Sequence, residues 1–273
     1  MTVCIAAMCH QGDCIIGVSD RMLSTPAMSI DDLAIKFSAI GNRWTAMFAG
    51  NDISPVVPIL KKVRAAVVSA GCKETLEDIV GYFKSAIREQ MTTKAEATIL
   101  SKFGLDMAEY RRNGLTNLGP ELFARLAYQI EQVSLDLTFL VFGFDGVDGE
   151  GHIFTVDGVG EVSYYDIAGF WAIGSGQTSA LGTLFSARIA IPYNSLSDAF
   201  YLLSKAKFSA ETAIGVGKET TAIILQSNSE RYLVHGPQMQ KIKEKWEASR
   251  GPDVPDGMNE IASELLTEAK AKF

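Results

Sequence analysis

The order of predicted strands and helices is the feature that most narrows the folds open to this chain. Apolar segments that predict paired strands lie at residues 2–8, 14–19, 34–40 and 44–49, and two amphipathic helices follow at 54–70 and 76–88. The order then repeats, with strands at 137–144, 152–156, 162–166 and 170–173, helices at 178–188 and after residue 195, and closing strands at 220–226 and 232–235. Hairpins favour antiparallel sheets, and helices that come in pairs are expected to cover the outer faces of two packed sheets. The sequence therefore predicts an α+β fold, a four-layer α-β-β-α sandwich.

Changes in hydrophobic period support this assignment of helices and strands. One face of the first predicted helix collects four apolar residues, Val56, Leu60, Val63 and Val67. Pro55 suits the first turn of that helix, where its missing N–H costs nothing. The segment 137–144 is a continuous apolar run, which is typical of a strand that is buried on both faces.

Two segments lie outside the repeated order. Residues from about 89 to 120 are polar, with scattered glycine and asparagine, and they predict a helical insertion. Residues 237–273 predict two surface helices separated by the loop SRGPDVPDG. We therefore expect one domain over residues 1–236, with the insertion near 89–120, followed by a C-terminal helical extension over 237–273.

Charge and composition exclude several classes of protein. The net charge of −7 and the lack of a dense Lys/Arg cluster argue against a nucleic-acid partner. No apolar run approaches the roughly 20 residues of a membrane span, and the first residues lack the basic and apolar regions of a secretory signal. The four cysteines, Cys4, Cys9, Cys14 and Cys72, do not follow a zinc-site spacing, so buried reduced thiols are the simpler interpretation. These features predict a cytoplasmic protein with no membrane partner.

The chain opens MTVCIAAM, and Thr2 is the first candidate for chemistry. An initiator methionine before a small residue is normally removed, and removal of Met1 would leave Thr2 with a hydroxyl and a free α-amine. The amine can serve as the base for the hydroxyl, because its pKa of roughly 7.7–8.0 is close to the ideal for a base at neutral pH. Many chains begin Met-Thr without such a role, so the position alone does not decide the matter.

Four further positions carry reactive or permissive groups, one of them inside a predicted strand and three at the ends of strands. Asp20 closes the strand in GVSDR, and Lys36 lies within the apolar run LAIKFSAI, where a cation needs a counter-charge or a functional reason. Gly50 in MFAGND and Ser175 in AIGSGQ each lie between a strand and a helix. A glycine at such a point lets a backbone N–H approach a substrate closely. The simpler alternatives are a solvated strand end for Asp20 and a helix N-cap for Ser175.

Two loops match known binding motifs only in part. GVGKET lacks the first glycine and the final hydroxyl residue of a phosphate-binding loop, since Thr212 and Glu219 occupy those positions. In DGVDGEGHIF, the third and fifth positions of a calcium loop are Val147 and Gly149, which offer no side-chain ligand. We therefore expect neither a metal nor a cofactor.

Taken together and in this order, Thr2, GVSDR, Lys36, MFAGND and AIGSGQ resemble the proteasome β-subunit family of N-terminal-nucleophile (Ntn) hydrolases. The resemblance covers most of residues 2–235. It extends to the simpler bacterial members, such as the peptidase of the two-component heat-shock protease and the bacterial ancestral proteasome homologues. It implies a threonine-type peptidase or amide hydrolase that forms an acyl-enzyme ester on Thr2.

The resemblance also implies a role for each of the five candidate residues. Thr2 would be the nucleophile, and its α-amine would be the general base. Lys36 would lower the pKa of the hydroxyl and of the amine, and Asp20 would hold Lys36. The Gly50 N–H would donate to the oxyanion, while Ser175 would bond the α-amine and help to relay the proton.

The chain departs from the family pattern in the loop before the late strand. The family usually places an aspartate there and a serine three residues later, whereas the best-matched positions in ETAIGVGKET are about Ala213 and Val216. This loss leaves the Thr2 amine with less support. The insertion and the tail after Pro237 also exceed the family core, where they could block or replace the usual contacts between subunits.

Partners follow from the resemblance in the same way. The substrate would be a peptide or an unfolded protein, and the chain would form a homo-oligomer, a ring or a spiral, through outer helices such as 54–70 and 76–88. An ATPase unfoldase that feeds the chamber is allowed by the resemblance but not required by the sequence. Two alternatives stay open: a catalytically inactive proteasome-like structural subunit, and a small-molecule Ntn amidohydrolase.

Overall fold

The computed structural model describes residues 2–24, 29–31, 35–69, 71, 73–187, 194–249, 257, 258, 260, 261, 263 and 264. The first half contains strands β1 (Cys4–Cys9), β2 (Cys14–Asp20), β3 (Leu23–Ser24), β4 (Ser29–Ile30), β5 (Ser38–Ile40) and β6 (Trp44–Gly50), then helices α1 (Val56–Ser69), α2 (Leu76–Thr98), α3 (Met107–Leu118) and α4 (Pro120–Glu131). The second half contains strands β7 (Leu137–Phe144), β8 (Gly151–Asp157), β9 (Val162–Tyr164) and β10 (Phe170–Ile173), helices α5 (Gln177–Ser186) and α6 (Leu196–Ala210), strands β11 (Thr220–Gln226) and β12 (Arg231–His235), and helix α7 (Pro237–Ser249). The predicted α+β class is confirmed.

Most of the strands belong to two five-stranded antiparallel sheets. Sheet 1 has the order β10-β1-β2-β11-β12, sheet 2 has the order β5-β6-β7-β8-β9, and β3 pairs with β4 in a separate ribbon. In sheet 1, Cys4 pairs with both Ser19 and Ile173, and Asp20 pairs with Thr220. The start of β1 therefore lies between the end of β2 and the end of β10, and the start of β11 lies on the far side of β2.

The bounds of the predicted strands agree with the structure to within one residue, except at the start of β1, which is Cys4 instead of Thr2, and at two further points. β7, β10 and β11 have the predicted bounds. The strand expected at 34–40 is shorter, because β5 begins only at Ser38, with Lys36 in the segment before it; residues 32–34 lie outside the described residues. β9 ends at Tyr164 instead of at residue 166, because the Asp166 carboxylate turns back to accept the Ile153 N–H (2.8 Å).

Three clusters of buried apolar side chains determine how the sheets and helices pack. One lies between the sheets and includes Ala6 and Ile15 of sheet 1 with Met47 of sheet 2. A second packs the opposite side of sheet 1 against α5, α6 and α7, and a third packs the opposite side of sheet 2 against α1 and α2. β7 contributes Leu140 to the cluster between the sheets and Phe139 to the helix-covered cluster, which confirms that this strand is buried on both faces.

The first two helices begin close to the predicted positions. α1 buries the four predicted apolar residues on one face. α2 begins after Thr75, whose side chain accepts the Asp78 N–H (3.2 Å) as an N-cap. α2 continues to Thr98, well beyond the predicted end at residue 88.

The helical insertion is longer than the sequence pattern suggests. It comprises the end of α2 with α3 and α4, and it therefore reaches Glu131 and not only residue 120. A separate apolar cluster joins these elements through Ala95, Leu100, Met107, Tyr110 and Leu126. Because the insertion has its own buried contacts, it forms a small helical unit on one side of the domain.

The C-terminal extension is not confined to the surface, and the prediction of two surface helices is wrong in this respect. α7 buries Met239 and Ile242 in the cluster outside sheet 1, and Met258 and Ile261 join the same cluster. Burying an aliphatic or methionine side chain contributes about 1.5–3 kcal/mol relative to leaving it exposed. This part of the tail therefore belongs to the core of the domain.

The cysteine thiols and the lengths of the helices bear on two of the expectations drawn from the sequence. Cys4, Cys9 and Cys14 are buried free thiols, as predicted, and Cys72 lies outside the described residues. Among the helices of the described residues, none combines the length and the apolar character needed to cross a membrane.

Candidate active site

The turn after β10 holds the main chain of Thr2 in place. The Thr2 carbonyl oxygen accepts hydrogen bonds from the Gly176 N–H (3.2 Å) and from the Ser175 hydroxyl (3.3 Å). Gly174 has a φ of +96°, and a Cβ added there would lie 2.3 Å from the Thr2 carbonyl oxygen. Only glycine allows both this backbone conformation and this close approach. The Gly-Ser-Gly turn therefore fixes where Thr2 lies.

The Thr2 side chain lies between a cation and a carboxylate. Its hydroxyl accepts a hydrogen bond from the Lys36 ammonium and donates one to Asp20 Oδ1. Lys36 Nζ and Asp20 Oδ1 also form an ion pair of 2.8 Å, and the two side chains are only 4% and 0% exposed. The predicted placement of Lys36 beside Asp20 and Thr2 is confirmed, and a solvated strand end for Asp20 is wrong.

Main-chain donors surround the Asp20 carboxylate as well. Oδ1 accepts the Val3 N–H (3.0 Å), and Oδ2 accepts the N–H groups of Met22 (3.2 Å) and Gly217 (3.1 Å). A buried carboxylate needs such partners, because an uncompensated buried charge is costly. Asp20 therefore ties together the start of β1, the end of β2 and the loop before β11.

Ser175 faces the Thr2 nitrogen. Its Oγ lies 3.2 Å from that nitrogen, and its hydroxyl also lies 3.3 Å from the Ile214 carbonyl oxygen. The N-cap residue of α5 is Gly176, which makes no side-chain capping bond, so the N-cap interpretation of Ser175 is wrong. A free amine at Thr2 would thus have the serine hydroxyl as a direct neighbour.

A cleft of about 710 Å³ opens beside Thr2, within the size range of ligand-binding sites. Its wall includes Gly50, Asn51, Asp136, Asp157, Tyr165 and Trp171. A Cβ added at Gly50 would lie 2.2 Å from the Asp136 carbonyl oxygen, so strand packing alone already requires glycine there. The structure therefore joins Thr2, Asp20, Lys36 and Ser175 by direct contacts and places Gly50 on the wall of the same cleft.

A thiol also lies next to this group. Burial raises the pKa of the Cys4 thiol to about 12, although the Lys36 ammonium partly opposes the shift. The thiol donates a long hydrogen bond to the Phe48 carbonyl oxygen (3.5 Å). Because only the thiolate is a strong nucleophile, the protonated Cys4 thiol is a weak nucleophile near neutral pH.

The loop before β11 has apolar side chains where the resembled family has polar ones. Val216 is buried, and both Val216 and Ala213 pack in the cluster outside sheet 1. The loop nevertheless reaches the site through its backbone, by the Gly217 N–H that Asp20 accepts. A main-chain donor thus contributes to the site from the loop that lacks the polar pair.

Sequence reasoning missed three contributors to the site. Gly174 supports Thr2, Gly217 supplies a donor to Asp20, and Asp31 Oδ2 accepts the Lys218 N–H (2.7 Å) to hold the adjoining loop. Gly174 belongs to AIGSGQ, whose local pattern favours a helix start, and Gly217 belongs to GVGKET, which partly matches a phosphate-binding loop. Asp31 and Lys218 are 187 residues apart in the chain, and no local pattern points to their contact.

One group in the described part of the chain has ligand atoms spaced closely enough for a metal ion. It consists of Asp145, Asp148 and His152, whose ligand atoms lie within 4.8 Å of one another. The two Asp145 oxygens accept the N–H groups of Leu76 and Val147, both at 2.7 Å, and His152 Nδ1 pairs with Asp166 Oδ2 at 2.8 Å. These bonds account for the arrangement, and we assign no metal to it.

Comparison with known proteins adds no further identification. No protein-family model matches the chain, and a search of curated proteins returned no match.

Proposed function

We propose that this chain is a threonine-type amide hydrolase, acting as a peptidase, with Thr2 as the nucleophile once Met1 has been removed. One observation carries the proposal: the Thr2 hydroxyl contacts a buried ammonium and a buried carboxylate beside a cleft. Buried charges are costly, and a lysine–aspartate pair aimed at a hydroxyl is an arrangement that activates a nucleophile. Ser175, next to the Thr2 nitrogen, supports the use of the freed amine as the base.

The proposed reaction gives each of these groups a role. The Thr2 oxygen attacks the amide carbon of the substrate, and its proton passes to the α-amine. The Lys36 ammonium stabilises the negative charge that develops on the Thr2 oxygen. The Gly50 N–H donates a hydrogen bond to the oxyanion that forms from the substrate carbonyl. The C–N bond breaks, the leaving amine takes the proton, and an ester forms on Thr2. Water then hydrolyses the ester and releases a carboxylic acid.

The arrangement of layers proposed for the fold is the four-layer α-β-β-α sandwich of the Ntn hydrolases. It is supported by the order of the three apolar clusters, one between the sheets and one between each sheet and its helices. The helical insertion has its own cluster and is additional to these layers.

We further propose that the protein works as a homo-oligomer on peptide or unfolded-protein substrates in the cytoplasm. The outer surface of α1 carries two exposed apolar residues, Val57 at 72% and Val68 at 75% exposure, which suit a contact between subunits. The buried free thiols Cys4 and Cys9 fit a reducing compartment. Mass photometry of the protein and of a Val57→Asp/Val68→Asp variant tests the assembly. We expect an oligomer, a ring or a spiral, that dissociates in the variant.

The nucleophile is tested by covalent labelling of the full chain. Intact-mass spectrometry first establishes whether the chain starts at Thr2, and a β-lactone or epoxyketone probe is then added. We expect one adduct, mapped to the peptide that begins with Thr2, and cleavage of peptide amides. In Thr2→Ala, adduct and cleavage should both be lost, whereas Thr2→Ser keeps a hydroxyl and should still be labelled.

The same experiment separates the alternatives. Retention of Met1 with no adduct would contradict the proposal and favour an inactive structural subunit. An adduct on Thr2 without peptide cleavage, together with a monomer in mass photometry, would favour a small-molecule amidohydrolase.

A further inference from the structure

A second buried lysine lies behind the candidate site. Lys207, on α6, has a side chain that is 0% exposed, and its ammonium bonds Glu211 Oε1 (2.7 Å) and the Lys218 carbonyl oxygen (2.8 Å). Burial lowers the pKa of Lys207, while Glu211 and then Asp20 oppose that shift. Burying a cation costs desolvation free energy, which a methionine of similar shape at the same position would avoid. A lysine that is kept in the interior therefore points to a role for its charge.

This cation is connected outward to the C-terminal extension. Glu211 Oε2 pairs with Lys243 Nζ of α7 at 2.9 Å, so one carboxylate bridges a lysine of α6 and a lysine of α7. Lys243 also lies over the Phe208 ring, 5.6 Å from its centroid. The extension therefore holds the outer end of a charged chain that reaches into the domain.

The inner end of this series of charged side chains, Lys207, acts on the loop that contacts Asp20. Lys207 holds the carbonyl of Lys218, and the preceding residue, Gly217, donates its N–H to Asp20 Oδ2. On its other side the loop is held by Asp31, which accepts the Lys218 N–H, and a Cβ at Gly217 would lie 2.4 Å from Asp31 Oδ1. The loop thus has little freedom, and the Lys207 ammonium is one of the side chains that anchor it, together with Asp20 and Asp31.

We propose that Lys207 is a positioning residue for the reaction at Thr2, and that it couples the C-terminal helix α7 to the site through Glu211. By holding the Lys218 carbonyl, it aims the Gly217 N–H at Asp20, which in turn fixes Lys36 beside the nucleophile. In this way a backbone donor supports the site from the loop that lacks the family's polar side chains. The inference rests on the proposed function of Thr2.

The kinetic test compares Lys207→Met with Lys241→Met in the full chain. Lys241 is the matched control, because it lies on α7 and pairs with Glu264 at 3.4 Å through side chains that are 56% and 58% exposed. The rate of Thr2 labelling by a β-lactone is measured at several probe concentrations. The fraction of molecules that can be labelled is measured separately, at a saturating probe concentration. We expect Lys207→Met to lower the maximal labelling rate at least about tenfold with an unchanged half-saturating concentration, as for a misplaced catalytic group. Lys241→Met should match the wild type.

A purely structural role predicts a different result. Partial unfolding of Lys207→Met would lower the labelled fraction but leave the rate of the folded molecules unchanged, and that outcome overturns the proposal. Lys243→Met, which removes only the outer end of the chain, should reduce the rate less than Lys207→Met. An equal rate in Lys207→Met and the wild type also overturns it.

Amide hydrogen exchange makes the test independent of activity. In Lys207→Met, exchange of the Gly217 amide should rise relative to amides of β7, and in Lys207→Arg, which retains the cation, it should rise less. If Thr2 is never labelled in the wild type, the proposed function fails, and the exchange result still decides whether Lys207 orders the loop. Unchanged exchange at Gly217 would refute the inference in either case.

Discussion

Replacing Lys36 by methionine tests whether the buried cation serves the reaction or only neutralises Asp20. Removing one partner of a buried ion pair typically costs about 3–5 kcal/mol, because the remaining charge is left uncompensated. In this protein Asp20 keeps three main-chain donors, the N–H groups of Val3, Met22 and Gly217 at 3.0–3.2 Å. A hydrogen bond to a charged group contributes about 1.5–3 kcal/mol, so these donors offset part of the loss. We expect the free energy of unfolding to fall by about 2–3 kcal/mol, below most of the usual range.

The effect on the reaction should be larger than the effect on stability. Loss of the ammonium beside the Thr2 oxygen should slow labelling by a β-lactone about a thousandfold, equivalent to about 4 kcal/mol in activation free energy. Urea unfolding and the labelling rate are measured on the same preparations at one pH. Lys62→Met is the matched control, because the Lys62–Glu89 pair has side chains that are 39% and 55% exposed. That control should lose less than about 1 kcal/mol and keep the wild-type labelling rate.

Two results would refute this reasoning about Lys36. Labelling of the folded variant at the wild-type rate would show that the cation only balances Asp20. A loss of stability of about 5 kcal/mol would show that the main-chain donors do not compensate the carboxylate.

Three further predictions concern other parts of the molecule. Thr2→Ala should unfold at the same urea concentration as Thr2→Ser but should lose peptide hydrolysis. Hydrolysis by Thr2→Ala at the wild-type rate would show that Thr2 is not the nucleophile. Gly174→Ala should lose about 2–4 kcal/mol of stability and displace Thr2, because an added Cβ would meet the Thr2 carbonyl at 2.3 Å. Gly104→Ala is its control, with a φ of +68° but open space around the new Cβ, and it should lose only about 1–2 kcal/mol; equal losses would contradict the steric argument. The Asp166 hydrogen bond raises the pKa of His152 above its usual value of about 6.5. Protonated His152 therefore stabilises the folded protein fully below that pH, and this stabilisation is lost as the pH rises through the pKa of His152 in the folded state. The urea concentration at the unfolding midpoint of the wild type should therefore decrease as the pH rises above about 6.5, and it should decrease less in Asp166→Asn.

Much of the fold could be predicted from local pattern. The bounds of β7 follow from a continuous apolar run, and α2 begins after Thr75 because that side chain caps the helix. The end of α2 could not be predicted in this way, since its polar continuation packs Ala95 against the helices of the insertion. The burial of Ile242 was missed for the same reason: α7 has a mainly polar sequence, and only its contact with the domain shows which face is covered.

For the candidate site, the sequence by itself determined which groups needed partners. Lys36 in an apolar run had to find a counter-charge, because burying a lone cation is costly. Which partner each group received was decided by tertiary structure. Pairing of β1 with β2 and β10 places Asp20 and Ser175 around Thr2, although Ser175 is 173 residues away in the chain. A solvated strand end and a helix cap were equally consistent with the local pattern, since burial and hydrogen-bond partners depend on strand register and on packing between distant segments.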